Sequence, residues 1–156
     1  MILQEQSGIA TLGGENMDSA ARTLDTLIRH AQGEPVFLMT WAFKEGISIN
    51  FFPGLKYKQT RAEMQTKIAG HYIDIANELD AMLAPAGIAC MRCASQFPEI
   101  ELWDEDGNHP SPAGTYLAAC VLYKVLYDQS PEGLEYCADL DAQVSGKLQL
   151  IAAGIY

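Results

Sequence analysis

Pro35-Val36-Phe37-Leu38-Met39-Thr40-Trp41 is an almost unbroken apolar run between turn-forming residues. A strand of that kind is covered on both faces, as in a parallel sheet with helices on either side. On its N-terminal side, Ala21, Leu24, Leu27 and Ile28 recur at helical spacing, which predicts a helix from about Asp18 to Gln32 that Gly33 stops. Met1 to Gln6 reads as a short strand, and Gly8 to Gly14 as a glycine-rich connection. On the C-terminal side a long loop carrying Gly46, Pro53 and Gly54 leads to Thr60-Arg61-Ala62-Glu63, a capping box that opens a helix. That helix is expected to run to about Leu83 on a stripe of Met64, Ile68, Tyr72, Ile75, Leu79 and Met82. Pro85 and Gly87 end it, Ile88 to Met91 reads as the next strand, and a loop runs to Pro110. Ser111 is then a natural N-cap with Pro112 in the first helical position. This helix carries Tyr116, Leu117, Cys120, Val121 and Leu126 and ends near Gln129, and a last helix starts near Asp139.

Strands alternating with helices define the α/β class, here a three-layer αβα parallel sheet in one domain spanning residues 1–156. Ligands of such sheets bind at the carboxyl ends of the strands. That rule gathers Gln6-Ser7, Trp41-Ala42-Phe43 and the loop from Ser95 to Pro110 around one crevice.

Composition narrows the partners. The 156 residues carry 20 acidic and 10 basic side chains, a formal net charge of −10, and 49% of them are apolar. The chain can fill a core, and an acidic surface disfavours nucleic acid and anionic membranes as partners. The longest apolar stretch, Tyr116 to Tyr123, is far short of a membrane span. No basic segment precedes Arg22, so no secretion signal is read, and the expected location is cytoplasmic. Cys90-Met91-Arg92-Cys93 has redox or zinc spacing. In the expected strand, however, the two thiols would point to opposite faces, so Cys90, Cys93, Cys120 and Cys137 are read as free thiols.

The densest set of reactive side chains lies in Leu102-Trp103-Asp104-Glu105-Asp106-Gly107-Asn108-His109-Pro110. A carboxylate three residues before a histidine can accept from Nδ1–H, turning Nε2 outward as a general base. An EF-hand register with Gly107 sixth puts Leu102 and Ala113 where carboxylates are required, so calcium is not expected. A transition-metal site from Asp104, Asp106 and His109 would need further ligands, and no metal or organic cofactor is implied. A solvated acidic turn with a surface histidine is the plain alternative. His30 reads as a surface residue at a helix C-terminus and His71 as a packing residue. Trp41 and Phe43 suit either core packing or a substrate wall, and Trp103 is expected to anchor the acidic loop.

The segment from Asp106 to Cys120, with its Asp-Gly-Asn-His-Pro-Ser-Pro-Ala-Gly core, resembles the C-terminal catalytic block of SGNH (GDSL-like) hydrolases. It is most similar to a bacterial branch of unknown function. Leu3-Gln4-Glu5-Gln6-Ser7 and Met39-Thr40-Trp41-Ala42 resemble recurrent stretches of the same branch. The resemblance implies a flavodoxin-like sheet and serine-dependent hydrolysis of an ester, often an acyl group on a carbohydrate. His109 would be the base, Asp106 its orienting acid, and Gln4 or Gln6 the oxyanion donor where the family offers asparagine. No Gly-Asp-Ser or Gly-Asn-Ser nucleophile turn occurs in the sequence. In one register Met1 to Gln6 is the family's third strand, and the first strands and the serine are missing. In the other it is the first strand and Ser7 is the nucleophile, although Glu5 then occupies a position that favours glycine. Ser111 is better explained as a helix cap. A non-catalytic remnant or binding module is the second functional reading, with an exposed sheet edge that could pair two copies of the chain.

Overall fold

The computed structural model describes residues 1–155. Its central sheet contains β1 (Ile2–Leu3), β2 (Val36–Leu38) and β5 (Met82–Ala84), all parallel in the order β1-β2-β5. The apolar run from Pro35 therefore forms the middle strand. Its side chains divide by strand periodicity: Phe37 and Met39 enter one core, and Leu38 packs against the other. The first core joins them to α1 (Ser7–Leu12), α2 (Glu15–His30) and α3 (Arg61–Glu78) through Ala10, Met17, Ala21, Met64, Ile68 and Tyr72. The second is built largely from α4 (Ala86–Gln96), α5 (Pro112–Tyr127) and α6 (Ala142–Ala153). The expected mixed α/β class, a parallel sheet flanked by helices, is the one observed. Among the described residues no helix is long and apolar enough to cross a membrane.

Several local expectations are corrected. The first strand stops at Leu3, because Gln6 caps a helix: its Oε1 accepts from the Ile9 N–H at 3.0 Å, and α1 replaces the glycine-rich connection. The long loop after Trp41 contains an antiparallel hairpin, β3 (Ile47–Phe52) and β4 (Leu55–Gln59). Pro53 and Gly54 make its turn, with Gly54 at φ +92°, so the breakers seen in the sequence mark a hairpin tip. The Thr60 capping box is present, but α3 ends at Glu78, and Met82, read as the tail of its stripe, starts β5. The expected strand from Ile88 to Met91 is part of α4. Ala86, Ala89, Cys90 and Cys93 are buried at helical spacing, and a short apolar run does not by itself separate the two periods. Cys90 and Cys93 therefore lie one turn apart on one helix face. All four cysteines are free, and burial pushes Cys90 up to about 12 and Cys93 to about 11.

One buried side chain ties α3 to the segment that leaves β2. Gln65, 5% exposed, accepts the Ala42 N–H at 2.7 Å and donates to the Thr40 carbonyl at 3.3 Å. Gly87 makes room for this contact: a Cβ there would lie 2.1 Å from the Thr40 oxygen and 2.3 Å from Gln65 Nε2. Gln65→Leu leaves both backbone groups unpaired, and urea unfolding should show a loss of about 2–4 kcal/mol.

Candidate active site

The loop between α4 and α5 carries the acidic stretch, and its ends are pinned by packing. Ser111 caps α5, accepting from the Gly114 N–H at 3.1 Å and donating to the Glu101 carbonyl at 2.7 Å, so its one O–H donor is taken. A Cβ on Gly114 would lie 2.2 Å from the Leu102 oxygen, which explains glycine in the first turn. Trp103 is buried and donates Nε1–H to the Ala42 carbonyl at 3.0 Å, with Arg61 over its ring at 5.0 Å. The expectation that it anchors the loop is met.

Between Trp103 and Pro110 the chain folds back on itself. Asp104 N–H donates to the His109 carbonyl at 2.8 Å and Gly107 N–H to the Asp104 carbonyl at 2.9 Å, with Gly107 at φ +67°. Two further bonds come from the segment after β2. Trp41 Nε1–H donates to the Asn108 carbonyl at 3.1 Å, and Lys44 N–H to that of Gly107 at 2.8 Å.

This turn sets the expected pair. Asp106 Oδ1 accepts the Asn108 and His109 N–H groups at 2.8 and 2.9 Å, while Oδ2 lies 2.5 Å from His109 Nδ1. The hydrogen bond from His109, reinforced by these backbone donors, lowers Asp106 to about 2. Above that pH the carboxylate can only accept, so neutral His109 carries its proton on Nδ1 and keeps a lone pair on Nε2. The His109 side chain is 72% exposed, and among the described residues Nε2 makes no hydrogen bond. The same bond, then the charges of Asp106 and Asp104, raise its pKa above 6.5.

His109 lines a crevice of about 310 Å³ together with Gln4, Gln6, Ser7, Thr40, Trp41, Asn108 and Pro110. The structure thus brings together Gln4, Gln6, Ser7, Trp41 and His109, with Asp106 bonded to His109, whereas Ala42 is in the core and Phe43 packs against it. Gln6 is oriented by its own cap: with Oε1 committed to Ile9, its two amide N–H donors are left over. Gly8 permits this fold-back, since a Cβ there would sit 2.9 Å from Gln6 Oε1. Ser7 is buried as the first residue of α1 and makes no hydrogen bond to His109 among the described residues. Asn108 lies in the loop expected at the crevice, whereas Thr40 is an addition to the expected set. Thr40 is 2% exposed. No feature of the sequence singles it out, because it reads as the end of an apolar strand. His30 is exposed in the last turn of α2, and His71 is half-buried against Gly14. Among the described residues no group of three His, Cys, Asp or Glu is placed to hold a metal.

No family model matches the chain, and no curated protein matches it. Solved structures do. A DUF4886 family protein from Bacteroides uniformis superposes with a TM-score of 0.73 at 20% identity, over 97% of this chain and 60% of that one. A protein from Slackia heliotrinireducens described as "a putative SGNH hydrolase" superposes with a TM-score of 0.65 at 27% identity, over 80% of this chain and 64% of that one. The fold is SGNH hydrolase-like. The chain spans less than two thirds of the length of either neighbour.

The pair has a defined pH signature. His109's raised pKa stabilises the folded state below about pH 6.5, a contribution lost as pH rises through the folded value. Asp106's depressed pKa contributes above about pH 3.8 and is lost as pH falls towards about 2. In Asp106→Asn the His109 midpoint, followed by NMR, should drop back towards 6.5; an unmoved midpoint would mean that the carboxylate does not hold the ring.

Proposed function

We propose that this crevice is the site of an SGNH-type ester hydrolase acting on short acyl esters of a carbohydrate. The observation that carries the reading is the Asp106–His109 pair, with His109 lining a crevice that the side chains of Gln4 and Gln6 also line. In the reaction a serine Oγ attacks the ester carbonyl as His109 Nε2 takes its proton. The tetrahedral intermediate collapses to an acyl-serine, and His109 protonates the departing alcohol oxygen. Water then repeats the sequence and releases the acid. Gln6, with Gln4 beside it, supplies N–H donors towards the developing oxyanion.

Ser7 is the serine in the crevice lining and the nucleophile proposed for this chain. The substrate class follows from the other lining groups. Two glutamines, a threonine hydroxyl and an asparagine suit a hydroxyl-rich alcohol, and Trp41 adds an aromatic wall for a sugar ring. Among the described residues no lysine or arginine lines the crevice to favour an anionic ester, and no aliphatic wall receives a long acyl chain.

The missing hydrogen bond between Ser7 and His109 favours a second reading, a non-catalytic module of the same fold. Its exposed Met1 and Ile2, at the sheet edge, would pair with another copy or partner.

On the catalytic reading, the chain hydrolyses p-nitrophenyl acetate with a rate that rises through a midpoint above pH 6.5, because His109 acts only when neutral. His109→Ala should lose at least about a hundredfold in kcat/KM, and Ser7→Ala should abolish turnover and labelling by a serine-directed phosphonate. Absence of both turnover and labelling in the unmodified chain leaves the binding module. A Ser7→Ala variant that retains full turnover removes Ser7 as the nucleophile.

A further inference from the structure

The β3–β4 hairpin lies outside the central sheet and belongs to no part of the proposed reaction. It leaves the carboxyl end of β2, the end that carries the crevice, and returns to the first turn of α3. Its base is closed tightly: Gly46 has φ +74°, and a Cβ there would lie 2.1 Å from the Gln59 oxygen. Just before it, Lys44 is bonded to the backbone of the histidine loop and to Glu101 at 2.5 Å.

Two properties coincide on this hairpin. The first is its tip, where Phe52 is 70% and Leu55 56% exposed on either side of Pro53 and Gly54. The second is charge. Residues 44–67 hold five of the chain's ten cations, Lys44, Lys56, Lys58, Arg61 and Lys67, against two acids, Glu45 and Glu63. Arg22, Arg29, Lys44 and Lys147 are neutralised by carboxylates. Arg92 and Lys124 bind backbone carbonyls. Lys56, Lys58, Arg61 and Lys67, in contrast, make no ion pair within 4 Å among the described residues; Lys67 lies against Tyr57 and Arg61 against Trp103. Lys56 and Lys58 are exposed two residues apart on β4 and so share one face of the hairpin.

From this juxtaposition we infer that the hairpin is a docking element for an anionic lipid surface, with Phe52 and Leu55 entering the interface and Lys56 and Lys58 meeting the headgroups. The apolar tip selects a bilayer over a dissolved polyanion, because an aromatic side chain gains from leaving water and nothing from a solvated charged polymer. Lysines beside the tip add electrostatic attraction near the surface. The net charge of −10 does not cancel this. Salt screens charges beyond about 8–10 Å, so a bilayer at the tip is governed mainly by the local surplus of cations. Docked this way, the sheet end carrying the crevice is held close to the surface, which suits an ester presented there. The docking itself is independent of the hydrolase reading.

Co-sedimentation of the full chain with phosphatidylglycerol–phosphatidylcholine vesicles tests it without any turnover assay. Binding is expected to the mixed vesicles and not to pure phosphatidylcholine, and to weaken with added salt. Lys56→Glu/Lys58→Glu should lower the partition constant at least about tenfold, and Phe52→Ser/Leu55→Ser should lower it comparably. Both pairs are exposed, so circular dichroism and melting temperature should match the parent. Three results would overturn the inference: no preference for anionic vesicles, binding indifferent to Phe52 and Leu55, or soluble polyphosphate binding as tightly as vesicles and surviving the tip substitutions.

Discussion

The site depends on one short stretch of chain, Thr40 to Lys44, held rigid where β2 ends. Among the described residues that stretch pairs with no strand. Gln65 takes the place of one, satisfying a backbone donor and a backbone acceptor from a side chain of α3. What it holds then organises the histidine loop, through the Ala42 carbonyl, the Trp41 indole N–H and the Lys44 amide. A loop of irregular backbone keeps its shape only where such partners are supplied. Here they come from the strand end that also forms the crevice wall, so base and wall are positioned by the same residues.

The Asp106–His109 pair illustrates a different economy. It is local, three residues apart, and exposed, so its geometry comes from the turn itself: two backbone N–H groups on one carboxylate oxygen and the ring on the other. Exposure means that charge and hydrogen bonding, with little desolvation, set both pKa shifts. The ring is poised by contact, and the fold's contribution is to aim it. Gln6 follows the same logic, since a helix cap takes up its amide oxygen.

Much of the site was readable as sequence because its elements are local. A carboxylate three residues before a histidine, a serine before proline at a helix start, and Thr60 three residues before Glu63 each carry their geometry in spacing. What was misread involved short apolar segments. Ile88 to Met91 and Met82 to Ala84 are each too brief to show whether the period is two or nearly four, and the strand and helix assignments around Pro85 were exchanged as a result. The hairpin is hidden in the sequence because Gly46, Pro53 and Gly54 read as loop breakers, whereas two of them build one turn. Gln65 gave no sign at all, since a buried glutamine on a helix stripe is known by its partners.

By itself the sequence determined the α/β class, the central strand, the histidine–carboxylate pair and the capping that starts α3 and α5. These rest on periodicity and on contacts within four residues. Only the tertiary structure decided that Gln4, Gln6, Ser7, Thr40 and Trp41 share one crevice with His109, and that Ser7 makes no hydrogen bond to it. It also decided which cations are neutralised and which stand free on the hairpin. The reason is physical: spacing along the chain constrains neighbours within a turn of helix or strand. Which groups meet across tens of residues is set by how the helices close over the sheet.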